Sequence, residues 1–426
     1  VSVRAALLVA TLVAAQSTFQ SSGTAEGALW SALSPKLEVG KGKSTFDEAL
    51  CAKELAARGP ELARPALRIL LGDAEEPAHD YDVDPRAIDA RPRVLGQLLK
   101  ALPRADVLKA VDEEVAAKEG VNRQLLLVRV LADVGGKESL DRVVAIASKL
   151  DPVQWERNFV QSPVQEAIAA LVRGDPTAQK EIARKVQDSK PGLGVMFVRA
   201  LAQAGATAAV PELGYSLGRD PKLDLCISDA LGALAESAAG TLSESALGAL
   251  RAQIESGDAR LVCAAASTLG RLGDEVSAEK LVRLLGDPDA LKKHGALTGL
   301  SALGGRDRAG DQAEWQAWLE AENTWRNERL PEIEKILSAE DLKQLPNVLS
   351  ELVGHRLFRH KVAMDLTPLL ESKNPDVVRL ACGVLPLIGS RSVVPALKML
   401  VRSGNRETIA CGRAALIALQ PPSAGS

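Results

Sequence analysis

The chain has 426 residues, a formal net charge of −3 and an isoelectric point near 6.0, so no broad basic field is available to hold nucleic acid or anionic lipid. It is 46% hydrophobic and 25% charged, which excludes a disordered polymer. Aromatics make up only 3%, and the abundance of Ala, Leu, Arg and Glu favours helices over a β-sandwich or barrel.

The first residues, VSVRAALLVATLVAAQS, place Arg4 before an apolar run from Ala5 to Ala15. Small residues at Val13-Ala14-Ala15 precede a cut, so 1–15 is expected to be a secretory signal peptide. The run is too short to span a bilayer, and no other candidate span follows. The chain is therefore expected to be exported to the periplasm, the cell envelope or the medium. Residues 16–44 are expected to form a polar linker and lead-in.

That lead-in ends in LEVGKGKST, residues 37–45, which resembles a phosphate-binding loop at its Gly42-Lys43-Ser44 end. The motif requires glycine where Leu37 stands, and it requires a preceding strand in a βαβ unit. Neither condition holds. Thr45 and Glu48 have the spacing of a capping box, which predicts a helix over FDEALCAKELAAR.

DAEEPAHDYDVDPRAIDARP, 73–92, reads as an acidic insertion. Asp80, Asp82 and Asp84 alternate as at the start of a calcium loop, but Pro85 and Arg91 occupy the places that need glycine and glutamate. A solvated acidic loop is the expectation, with no metal.

From 92 to 420 one grammar recurs: an Asp/Pro-type start, an Ala/Leu-rich helix, a Gly-containing turn and a second apolar helix. It runs through VNRQLLLVRVLADVGGKESLDRVVAIASKL (121–150), KPGLGVMFVRALAQAGATAAVPELGYSLGRD (190–220), DPKLDLCISDALGALAES (220–237) and GDARLVCAAASTLGRLGDEVSAEKLVRLLGD (257–287). In NPDVVRLACGVLPLIGSRSVVPALKMLVRSG (374–404), Asn374 is the predicted cap. Positions 377, 380, 381, 384, 385 and 388 form the apolar stripe, and Gly389 is the stop. QWERNFVQSP (154–163) and residues 304–337 interrupt the rhythm.

These segments resemble HEAT repeats, particularly the bacterial type related to phycobilisome-lyase HEAT-like repeats. The resemblance implies an all-α fold, an α-α superhelix of stacked helix pairs over 45–420, with a disordered tail at 421–426. One helix pair cannot bury its apolar face alone, so neighbours must stack. The bilin chemistry of some family members is not carried by the repeat consensus matched here.

The longest interruption contains Trp315, Trp318 and Trp325, three of the chain's five tryptophans, near one helical face. They are either an apolar anchor for the lengthened unit or, with Arg326 and Arg329 beside them, a partner-binding ridge. His355 to Lys361 is a short basic cluster. Its two histidines are five apart, which does not suit zinc, and it reads as a solvated turn or a contact for an acidic peptide. The five cysteines lie in Ala/Leu/Gly contexts without CxxC spacing and are expected to be buried thiols, with a Cys382–Cys411 bridge left open.

No catalytic set, metal site or cofactor motif is expected. The function implied is an exported protein-interaction scaffold or adaptor that binds protein partners. The alternatives are a lyase-type or chromophore-attaching enzyme, and a structural component of the envelope.

Overall fold

The computed structural model describes residues 25–34, 47–74, 85–117, 120–150, 158–218, 220–238, 242–305, 311–403 and 405–419. The leader, the 37–45 stretch, Asp80–Asp84 and the 421–426 tail lie outside them. The described regular elements are all helical, and the chain divides into two compact units, Val1–Leu171 and Val172–Ser426.

The first unit contains α1 (Ala25–Leu33), α2 (Glu48–Ala56), α3 (Ala63–Leu70), α4 (Pro85–Ala101), α5 (Arg104–Ala117), α6 (Val121–Val134), α7 (Lys137–Lys149) and α8 (Asn158–Val172), whose last residue falls in the second unit. Alternate helices stack, α2 on α4 on α6 and α3 on α5, in the manner of a helical-pair solenoid. Three local expectations are corrected here. The expected linker 16–44 contains α1, with Leu29, Trp30 and Leu33 buried. Arg91 holds its end by donating to the Leu33 carbonyl (3.3 Å) and Ser34 Oγ (3.0 Å), with its guanidinium 5.2 Å from the Trp30 ring. The cap of α2 is Asp47, which accepts from the Leu50 N–H at 3.0 Å, rather than Thr45. An Asx cap one residue before the helix satisfies the same orphan donors from closer range. The insertion 73–92 is helical from Pro85, and its first residue, Asp73, pairs with Arg123. Arg123 also meets the buried Glu114, which Arg64 reaches at 2.9 Å.

The second unit runs through α9 (Pro176–Asp188), α10 (Pro191–Ala204), α11 (Val210–Tyr215), α12 (Pro221–Ala238), α13 (Glu244–Gln253), α14 (Ala259–Leu272), α15 (Ala278–Leu284), α16 (Ala290–Gly304), α17 (Gln312–Thr324), α18 (Leu330–Ala339), α19 (Leu345–Gly354), α20 (Arg359–Leu366), α21 (Pro375–Ile388), α22 (Val394–Ser403) and α23 (Arg406–Ala418). The repeat grammar is written into its hydrogen bonds. Asp258, Asp289, Asn374 and Asn405 each accept from an N–H of the following first turn. Gly205, Gly273, Gly305 and Gly389 close α10, α14, α16 and α21 in the left-handed conformation. After three of these stops a short 3-10 turn, 207–209, 275–277 or 391–393, leads directly into the second helix of the hairpin.

The first helices α10, α12, α14 and α16 stack consecutively. At the α14–α16 contact the backbones touch. A Cβ on Gly299 would lie 2.4 Å from the Ala266 carbonyl oxygen, and one on Gly270 would lie 2.1 Å from the Gly299 oxygen. Hydrogen bonds cross the same layer: Thr268 Oγ1 donates to the Ser228 carbonyl at 2.7 Å, and Arg271 donates to the Gly232 carbonyl at 3.3 Å. Helices α17 and α18 form one long helix through a π-helical turn, Trp325–Arg329. Pro331 sits at its exit, and a proline there removes an i→i−4 donor, which a local change of helical pitch accommodates.

Candidate functional site

The 304–361 region gathers the residues singled out from sequence. Trp315 is fully buried and meets the half-buried Trp318 edge-to-face, with ring centroids 5.2 Å apart. Both rings close over Gly304 at the end of α16, where a Cβ would stand 3.3 Å from each. Trp325 is buried at the π turn. It stacks on His355 at 3.7 Å between centroids, and its Nε1 donates to Glu351 at 3.0 Å. Arg329 grips the same carboxylate with Nε and Nη2, both at 3.1 Å, and reaches Glu332 at 2.8 Å. The Arg329 bonds, ahead of the one from Trp325, hold the Glu351 carboxyl below its ordinary range. Arg326 is exposed, with its guanidinium 5.0 Å from the Phe358 ring. The three tryptophans thus dock the lengthened unit on its neighbours. The surface they leave is Arg326 with the open parts of Trp318 and Arg329.

The basic cluster corrects its sequence reading more sharply. His355–Lys361 is a turn between helices, as expected, but its core faces inward. Arg359 is 8% exposed and donates Nη1 to the Ala302 carbonyl (3.2 Å) and Nη2 to the Arg271 carbonyl (3.0 Å). His360 Nε2 donates to the Leu272 carbonyl at 2.8 Å, and its Nδ1 pairs with Ser390 Oγ at 2.8 Å. One turn therefore completes the C-terminal ends of α14 and α16 and touches the stop of α21. Cationic donors suit helix C-termini because the last carbonyls lack intrahelical partners and carry the negative end of the dipole. Burial, reinforced by the neighbouring Arg356, pushes Arg359 down to about 10. Burial likewise lowers His360 below its ordinary value. Nothing local in the sequence signals this clasp: Arg359 and Arg271 are 88 residues apart. Lys361 behaves as a surface residue, pairing with Glu334 (2.6 Å) and Asp365 (2.9 Å).

Two grooves open between successive hairpins. The first, of about 530 Å³, is lined by Ile254, Ser256, Lys280, Arg283, Asp287 and Lys292. The second, of about 500 Å³, is lined by Leu370, Lys373, Val378, Met399, Asn405 and Thr408. They occupy equivalent places: the end of one hairpin, the second helix of the next, and the cap that follows. Tyr215, Met364 and Met399 are exposed on the second helices of their hairpins and Val276 on the 3-10 turn before one, Met399 to 60%.

The cysteines are all free, Cys382 and Cys411 included. Burial pushes the Cys382 thiol up to about 12 and Cys226 to about 11, which suppresses the reactive thiolate. Among the described residues no group of three or more His, Cys, Asp or Glu is placed to hold a metal ion.

No protein-family model matches the chain, and no curated protein matches it. Among solved structures it is similar to the karyopherin Kap121p. The form bound to the extreme C-terminus of the protein phosphatase Cdc14p superposes with a TM-score of 0.41 and 13% identity, over 92% of this chain and 45% of that one. The form bound to the SUMO protease Ulp1p gives 0.40, 13%, 92% and 44%. The chain spans less than half the length of those karyopherin chains. At these values the likeness carries no statement about activity or partner.

Proposed function

We propose that the chain is a protein-interaction scaffold, exported, with no catalysis of its own. The observation that carries this reading is the pair of equivalent grooves on the hairpin stack, each lined by both apolar and charged side chains, the second with the exposed Met399 in its wall. Repeated grooves suit multipoint contact with an extended segment, where affinity comes from a few anchors. No described helix is long and apolar enough to cross a membrane. The apolar leader supports export.

The test is affinity capture, with the chain from about Gln16 onward as bait. Parallel baits carry Met399→Glu or Lys280→Glu, with folding checked by circular dichroism. A partner that binds the purified chain directly and is lost in a folded groove variant supports the scaffold. Turnover by the pure chain on a substrate panel, abolished by a point change, overturns it. N-terminal sequencing of chain recovered from the medium or periplasm checks the leader: chain that keeps residues 1–15 and is found in the cytoplasmic fraction alone refutes export.

A further inference from the structure

The clasp turn contains a charge that no described residue pairs with. Arg356 is half-buried, and its guanidinium makes no hydrogen bond or ion pair with any described residue. Its side chain lies across the stop of α16, where a Cβ on Gly305 would stand 2.3 Å from Arg356 Cδ and 2.7 Å from Nη1. Its Nη2 points toward the stop of α21, 3.8 Å from where a Cβ on Gly389 would be. The Nε of Arg356 and that of the buried Arg359 are both enclosed without an acceptor. Arg359 gives its other donors to backbone carbonyls and pairs with no carboxylate among the described residues.

Most of the described carboxylates of this region are engaged elsewhere, and the half-buried Glu275 lies in the field of Arg326 and Lys361. Glu322 faces His355 at 3.2 Å, Glu351 is held by Arg329 and Trp325, and Asp274 is bound by Arg251 at 2.9 Å. Two neighbouring guanidiniums, one of them nine-tenths buried, thus make no ion pair with a carboxylate among the described residues. A buried charge left unpaired is costly, and an anion that pairs with it recovers part of that cost.

We propose that this turn is an oxyanion site. A phosphate or carboxylate group is held by the unpartnered fork of Arg356, with Arg359 behind it supplying a fixed positive field. A guanidinium fork matches two oxygens of either group, and the half-buried position of Arg356 leaves it within reach of a solute. The inference does not depend on the scaffold reading, because the site is defined by a small anion rather than by a protein partner.

The experiment uses the full chain at about neutral pH, with thermal unfolding and isothermal titration against inorganic phosphate, succinate and chloride at matched ionic strength. Wild type is expected to show a saturable rise in unfolding midpoint with phosphate or succinate beyond that with chloride. Whichever of the two binds more tightly identifies the group. Arg356→Gln is expected to lose the response, with binding at least about tenfold weaker. Arg379→Gln, at an exposed arginine paired with Asp376 at 2.7 Å, should keep it. If Arg356→Gln does not fold, Arg356→Lys, which keeps the charge and loses the fork, should show the weakened binding. A wild type indifferent to phosphate and succinate overturns the proposal, as does an equal response in wild type and the Arg356 variant.

Discussion

Adding one methyl group at Gly299 tests the central contact of the second unit. In Gly299→Ala the new carbon would lie 2.4 Å from the Ala266 carbonyl oxygen and 3.1 Å from Leu281 Cδ1. The first contact is with backbone, which cannot rotate away, so α16 must move off α14. Overpacking of this kind costs about 1–3 kcal/mol. Replacing a helical glycine by alanine returns about 0.5–1 kcal/mol through backbone entropy. The net expectation is a loss of roughly 1–2 kcal/mol, accompanied by faster amide exchange in α14 and α16. The control is Gly248→Ala in α13, where the added carbon meets nothing within 4 Å and only the entropic gain remains. Urea unfolding followed by circular dichroism, with hydrogen exchange read helix by helix, separates the two. If Gly299→Ala stabilises as much as Gly248→Ala, the helices do not meet backbone to backbone and the packing account is wrong.

Trp315→Ala should destabilise by about 3–5 kcal/mol, because it empties a fully buried site against Trp318 and Gly304; a change below about 1 kcal/mol in denaturant unfolding would contradict the docking role. Asp289→Ala removes the acceptor for the Leu291 and Lys292 amides, at 2.8 and 3.3 Å, and should cost about 1 kcal/mol by the same assay; a neutral result would show that water replaces the cap. His360 gives a pH dependence. Its folded-state pKa lies below the ordinary 6.5, through burial and the Arg359 charge, against the opposing Leu272 carbonyl and Asp274. The unfolded chain therefore binds the proton more readily, so stability is complete above 6.5 and falls as pH drops from there toward the folded value. Unfolding midpoints from about pH 7.5 to about pH 5.5 should fall less in His360→Gln than in wild type; identical slopes would remove His360 from the account.

The repeat grammar was legible because its parts are local. Asn374, Pro375 and Gly389 declare the start and stop of α21 within fifteen residues, and Asn405 does the same for the next helix. The predicted stripe and the buried face overlap in part. Residues 377, 381, 385 and 388 are buried, whereas 380 and 384 are half-buried and Val378 and Cys382 take their places, because a first helix between two neighbours buries a broader face than a single stripe. The helix α1 is hard to read from sequence because its short apolar run follows a Ser/Gly-rich stretch; in the fold Leu29, Trp30 and Leu33 are buried, with Arg91 packed beside Trp30 and bonded to the Leu33 carbonyl.

By itself the sequence determined the helical class, the caps and glycine stops of the clearest repeats such as Asn374 and Gly389, and the hairpin period, all of which depend on chain geometry within a turn or two. Tertiary structure alone decided that the tryptophans pack inward, that Arg359 and His360 reach carbonyls 57 to 88 residues away, and that Arg356 has no partner among the described residues. A basic run looks the same in one dimension whether it faces water or a neighbour's helix end. The stacking of hairpins settles which, because it brings unsatisfied carbonyls of distant helices to one place and leaves the nearest cations to complete them.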